Sequence, residues 1–104
     1  MIVGLPVDGD FPDDPHSSFN FLNGYQTLGA LVDGPVYGTI YSKQLGVSVA
    51  RGVDEYAEFQ SSYVVYHDDY GDYVTNEPTM DGTASLVYLL AAKESETKLQ
   101  KKKR

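Results

Sequence analysis

Apolar positions along the chain are broken repeatedly by polar, turn-forming stretches, and three segments carry a helical pattern. Tyr37, Ile40, Tyr41 and Leu45 recur at the spacing of one helical face; Pro35 stands at a favourable first helical position and Gly46 stops the run. A second helix is predicted from a cap at Asp54, which places Tyr56, Phe59 and Tyr63 on one side. The third signal is the strongest, with Asp81 as cap, Leu86, Leu89 and Leu90 as the apolar stripe, and charged residues in its last turns. Residues 19–32, FNFLNGYQTLGALV, are apolar but interrupted by Asn23-Gly24 and Gly29, which predicts short extended or irregular structure around a turn. Residues 4–15 hold three of the five prolines and four aspartates and read as a loop. Residues 66–80, YHDDYGDYVTNEPTM, form a second loop that leads into the last helix, because Pro78 disfavours helical backbone at Glu77. The pattern is mainly α with long loops.

Composition narrows the function classes. The 104 residues permit one small domain, and nine Tyr with four Phe supply enough buriable area to argue against general disorder. Zero cysteines exclude a disulfide framework, a zinc ribbon, an iron–sulfur cluster and a cysteine nucleophile. Only His16 and His67 are available for a histidine-rich metal centre, and no recognised ligand spacing joins them to the acids. The Asp-Gly-Asp and Asp-Asp pairs of residues 8–14 do not fit an EF-hand loop, so neither a metal nor another cofactor is expected. No apolar run reaches the roughly 20 residues of a membrane span, and MIVGLPVDGD lacks the basic start and apolar stretch of a signal peptide.

Charge is divided unevenly. Residues 1–92 hold two basic against thirteen acidic side chains, whereas residues 93–104 hold six against two. The acidic body should repel nucleic-acid phosphates, which excludes that class of partner. The tail KESETKLQKKKR reads as a charged helix end whose lysines suit the C-terminal dipole. The expected division is therefore a body over 1–92 and a charged end over 93–104.

Acids and aromatics concentrate in residues 66–77, where Asp68, Asp69, Asp72 and Glu77 interleave with Tyr66, Tyr70 and Tyr73. Close carboxylates disfavour one another's ionisation, and a carboxyl that keeps its proton near neutral pH can act as a general acid. Tyrosine faces beside acceptors suit the apolar ring faces and hydroxyls of sugars. An acidic, solvated loop that precedes a helix has the same composition, and composition alone leaves both readings open.

The stretch from Asp68 to Glu77, DDYGDYVTNE, resembles the C-terminal signature of glycoside hydrolase family nine, which runs Asp, any, Arg, any, Asp-Tyr, two of any residue, then Asn-Glu. Asp68, Asp72, Tyr73, Asn76 and Glu77 match at the right spacing. Met1-Ile2-Val3-Gly4 with Phe11-Pro12 and Pro15-His16 resembles the family's Val-Gly, aromatic-Pro and Pro-His-His-Arg stretch. Gly29-Ala30-Leu31-Val32-Asp33-Gly34-Pro35 is similar to its Gly-Ala-Leu-Val-Gly-Gly-Pro turn. Together the three motifs span about 90 of the 104 residues in the correct order.

The resemblance implies the C-terminal part of an (α/α)6 barrel that hydrolyses cellulose-type β-1,4-glucan with inversion. It implies Glu77 as the general acid, His16 as a sugar contact beside the cleavage point, and Asp68, Asp72 and Tyr73 as residues that bind substrate or order the catalytic loop. The implied partner is a β-glucan or oligosaccharide. Such hydrolases are usually secreted or periplasmic, with the exporting segment upstream of Met1. Departures accompany the matches. Ser17 and Ser18 replace the second His and the Arg, Tyr70 replaces the signature Arg, Pro78-Thr79 replaces Val-Ala, and Thr83 replaces an Asn. The family's Asp-any-Gly-Asp base motif is absent; Val7-Asp8-Gly9-Asp10 imitates it at the wrong place, and Asp68, Asp69 or a second copy are the other candidate sources of a base. Against the enzyme reading stand a non-catalytic carbohydrate-binding remnant and an inactive fragment that self-associates through exposed apolar helix faces.

Overall fold

The computed structural model describes residues 1–5, 11–50 and 52–103; Asp8 and Asp10 lie outside these residues. Regular secondary structure among the described residues is helical, and β pairing is confined to isolated bridges. Helix α1 spans Ser18–Asn23, α2 spans Gly38–Tyr41, a single 3-10 turn covers Ala57–Phe59, and α3 spans Met80–Lys102.

The expectation of irregular structure over 19–32 is corrected at its start, where α1 forms. Gly24 ends that helix in a left-handed conformation (φ 65°), and the N–H groups that follow cap it on the carbonyls of Asn20 and Phe19. The helix predicted over 35–45 shrinks to α2 because its first residues are engaged elsewhere. Val36 and Val65 exchange backbone hydrogen bonds of 3.1 and 2.8 Å, and Gly38 N–H donates to the Ser62 carbonyl at 3.1 Å. From Lys43 the bonds tighten to i→i−3 spacing and the run ends before Gly46 (φ 80°).

The predicted helix after Asp54 is also corrected to one 3-10 turn. Asp54 Oδ1 does accept from Tyr56 N–H at 2.9 Å, but Gln60 then bonds both Asp54 and the backbone N–H of Tyr66, which turns the chain back. Tyr63 therefore lies in that turn rather than one helical repeat beyond Phe59. The cap of α3 is Thr79, with Asp81 in the first turn, where its charge suits the helix dipole.

Three distant segments meet at the centre. Val3 exchanges backbone bonds with the 29–32 segment (Val3 N–H to Ala30 at 2.9 Å, Gly29 N–H to Val3 at 2.9 Å), and Val32 N–H donates to Met1 at 3.0 Å. On its other side the same segment pairs with 75–78 through the Val32–Pro78 bridge. Gly34, at φ 88°, supplies the turn that releases the chain into Pro35. Among the described residues the buried apolar core is small: Val3, Ala30, Val32 and Tyr66, with Tyr56 edge-on against Tyr66 at 5.0 Å.

Helix α3 is anchored at its start, where Thr83 Oγ1 accepts from Leu31 N–H at 3.2 Å. No residue of α3 is buried, and Val87, Tyr88, Leu89 and Leu90 are all exposed. Its far half carries two surface ion pairs, Lys93–Glu96 at 3.2 Å and Glu94–Lys98 at 2.7 Å. Pairs of this kind contribute only about 0.3–0.5 kcal/mol each. Ending the chain after Ala92 is therefore expected to cost less than about 1 kcal/mol in urea unfolding, whereas Val32→Ala should cost about 2 kcal/mol.

Candidate active site

The loop between Tyr66 and Glu77 is shaped by one buried carboxylate. Asp72 is fully buried; its Oδ1 accepts from the N–H groups of Val74 and Thr75, both at 3.0 Å. Its Oδ2 accepts from the Thr75 hydroxyl at 2.8 Å, His67 Nδ1 at 2.9 Å and the Tyr41 hydroxyl at 3.0 Å. His67 N–H in turn donates to Thr75 Oγ1 at 3.2 Å. A buried carboxylate with this many donors meets the condition under which burying charge is tolerable.

Asn76, also fully buried, joins the loop to the 11–16 segment. Its amide donates to Asp14 O at 2.9 Å and Asp68 Oδ1 at 3.0 Å, while its Oδ1 accepts from the Tyr66 hydroxyl at 2.7 Å. Asp68 completes the joint by accepting from the N–H groups of Asp13 (2.6 Å) and Asp14 (3.1 Å). Burial raises the Asp68 pKa, and these hydrogen bonds offset part of that rise. His16 N–H donates to Asn76 O at 2.9 Å, and its ring stacks on Tyr70 at 5.0 Å and meets Tyr73 edge-on at 6.2 Å. Phe21 of α1 stacks on Tyr70 at 4.1 Å. The Tyr73 hydroxyl donates to Leu45 O at 2.8 Å.

Glu77 follows Asn76 directly and is exposed, while its backbone carbonyl accepts from Asp33 N–H at 3.2 Å. The loop thus turns from full burial at Thr75 and Asn76 to an accessible carboxyl within one residue. Asp33 is also exposed; partial desolvation, then the charges of Glu77 and Asp81, raise its pKa. Among the described residues no group of three or more His, Asp or Glu side chains is arranged to hold a metal ion.

Residues 1–90 match the model of Glycosyl hydrolase family 9. The chain belongs to that family. No curated protein and no solved structure matches it.

Family 9 membership places the chain, at the level of class, among the glycoside hydrolases, and the three motif stretches of its sequence are the segments that pair at the centre of the fold. His16, Asp68, Asp72 and Tyr73 lie in one connected network that ends at Glu77. Tyr41 and His67 belong to the same network as donors to Asp72. Tyr41 has the character of an apolar helix position in the sequence, and His67 stands just before the signature, with no counterpart in it. A five-residue separation from Asp72 is the one local signal for His67, whereas Tyr41 lies 31 residues away.

Two outcomes follow from this network. Asp72→Ala, which orphans several buried donors, is expected to destabilise the fold by about 3 kcal/mol or more in chemical denaturation, with Asp72→Asn less harmful. Burial raises the tyrosine pKa at Tyr41 and Tyr66 above the ordinary 10.0, helped at Tyr41 by its bond to Asp72. The folded state holds these protons where the unfolded chain releases them, so their stabilisation is complete below pH 10 and declines as pH rises beyond it. Ultraviolet titration should show part of the tyrosine absorbance change coinciding with loss of circular dichroism above pH ~10.

Proposed function

We propose that this family 9 chain carries the general-acid side of an inverting β-1,4-glucan hydrolase, with Glu77 as the residue that protonates the leaving glycosidic oxygen. The observation that carries the reading is the placement of Glu77. Its side chain is exposed, yet the two residues before it are wholly buried and hydrogen-bonded from both sides. A general acid needs that combination of access and fixed position. In this reading His16 and Tyr73 contact the sugar, Asp68 and Asp72 order the loop, and the helices are part of an (α/α)6 barrel. Burial and five accepted hydrogen bonds favour the ordering role for Asp72 over direct substrate contact.

Inversion also needs a base, roughly 6.5–9.5 Å from the acid with a water between it and the sugar. Asp68 and Asp69 are poor candidates: Asp68 accepts from two backbone N–H groups and Asn76, and Asp69 accepts from Ala50 and Gly71 N–H at 2.7 Å each. A base supplied from outside the described residues or by a second copy fits the chemistry better.

A second reading, a carbohydrate-binding or inactive remnant, draws support from the exposed ring of Phe21 on Tyr70 and from the uncovered apolar residues of α3. Reducing-sugar release from a soluble β-1,4-glucan separates the two. Glu77→Gln should lower hydrolysis by about 100-fold or more while glucan binding persists. Equal hydrolysis by both proteins would remove Glu77 from the mechanism, and glucan binding without hydrolysis by either would favour the remnant.

A further inference from the structure

The two phenylalanines of α1 have different surroundings. Phe19 and Phe21 are both largely exposed, yet among the described residues only Phe21 is stacked on another ring. It lies on Tyr70 at 4.1 Å with the planes 15° apart, and Tyr70 lies on His16 at 5.0 Å and 28°. The three rings form one continuous stack contributed by α1, the 66–77 loop and the 11–16 segment. Phe21 remains 62% exposed, so the face turned away from Tyr70 is open. A ring held in this way keeps a flat apolar surface ready for a flat partner.

The stack is fixed through its backbone. Phe21 N–H donates to the Ser17 carbonyl at 3.0 Å, and the left-handed Gly24 ends α1 just beyond. Tyr70 N–H donates to Asp14 Oδ2 at 3.2 Å, and its carbonyl accepts from His16 Nδ1. His16 N–H donates to Asn76 O at 2.9 Å, which ties the stack to the residue before Glu77. Rings placed before a ligand arrives lose little freedom when it binds. The stack also stands where the family motifs carry cations: Tyr70 replaces the signature Arg, and Ser18 replaces the Arg of the Pro-His-His-Arg stretch. A guanidinium reaches hydroxyls through its fork of N–H donors, whereas a ring takes the C–H face of a pyranose. In a β-1,4-glucan the hydroxyls lie around the rim of each unit and leave both faces apolar. The Asp14 carboxylate beside Tyr70 favours a neutral sugar chain over an anionic one.

We infer that Phe21 is a sugar-stacking residue: backed by Tyr70, its open face takes a pyranose ring of a neutral β-1,4-glucan, a ring contact in place of the Arg contacts this chain lacks. The inference rests on the carbohydrate substrate of the proposed function, and not on Glu77 as the acid. Cover by another apolar surface would require bulk at position 21 but not flatness, and it would engage Phe19 as readily as Phe21.

Calorimetric titration with cellohexaose tests the contact in the full chain carrying Glu77→Gln, which spares the probe from cleavage. Adding Phe21→Leu keeps an apolar side chain and removes the flat face; affinity should fall about fivefold, while Phe21→Tyr should stay within about twofold of the parent. Phe19→Leu, at the unstacked ring, should leave affinity unchanged. A second readout needs no variant at position 21: nuclear Overhauser contacts should join sugar C–H protons to the Phe21 ring in the saturated complex. Equal affinity with Phe and Leu at position 21, equal losses from Phe19→Leu and Phe21→Leu, absence of those contacts, or no binding of cellohexaose at millimolar concentration would each overturn the inference. A Phe21→Leu loss accompanied by undiminished hydrolysis in Glu77→Gln would instead overturn the general-acid reading and leave the ring contact standing.

Discussion

The carboxylate of Asp72 is the constraint on which the rest of the site depends. It is buried, and it gathers donors from Tyr41, His67, Val74 and Thr75. Without it, the backbone N–H groups of Val74 and Thr75 would lose their acceptor inside the molecule. With it, the loop closes tightly enough to place Asn76 against the 11–16 segment. Asn76 then uses its amide on Asp14 and Asp68 and its carbonyl on Tyr66, which leaves Glu77 as the first residue free to face outward. The order of the 66–77 loop is a chain of such dependencies, each one residue long.

This design relies on polar bonds because the apolar core is slight. Val3, Ala30, Val32 and Tyr66 are too few to hold three loop segments in register by burial alone. Backbone pairing of 1–3 with 29–32, and of 32–34 with 75–78, supplies the register instead. Pro78, which departs from the family's valine, fits that pairing without loss. The bond beside it runs from Asp33 N–H to the Glu77 carbonyl, so the pairing places no demand on the N–H that proline lacks. Thr83, another departure, provides the hydroxyl that receives Leu31 N–H and ties the first turns of α3 to the same segment.

Asp68, Asp72, Tyr73, Asn76 and Glu77 stood out in the sequence through their spacing in the family signature; what the spacing did not show is that Asp72 organises the loop by bonding Val74 and Thr75, two and three residues on. The loop into α3 was legible through Pro78. The helices expected over 35–45 and after Asp54 were misjudged because periodicity is silent about distant backbone partners. Val36 is taken by Val65, Gly38 by Ser62, and Gln60 by Tyr66, and each such bond removes a group that a longer helix would have used. Tyr41 shows the same limit: its ring fits an apolar helical stripe, and only the fold reveals that its hydroxyl serves a carboxylate 31 residues away.

Helix α3 is organised on the opposite principle. Residues 84–92, ASLVYLLAA, place apolar side chains around the whole circumference, and a helix of that kind is stable when surrounded. Here none of its residues is buried, so its order comes from helix propensity, from the Thr83 anchor and from surface ion pairs. The network that holds Glu77 has no such need for cover: each buried oxygen of Asp72 and the side-chain amide of Asn76 find their partners within loops 11–16 and 66–77, α2 and each other. The geometry of the candidate site is therefore set by hydrogen bonds among the 11–16 and 66–77 loops and Tyr41 of α2, none of which involves the apolar surface of α3. It is accordingly more sensitive to the loss of one polar atom than to the loss of a methyl group.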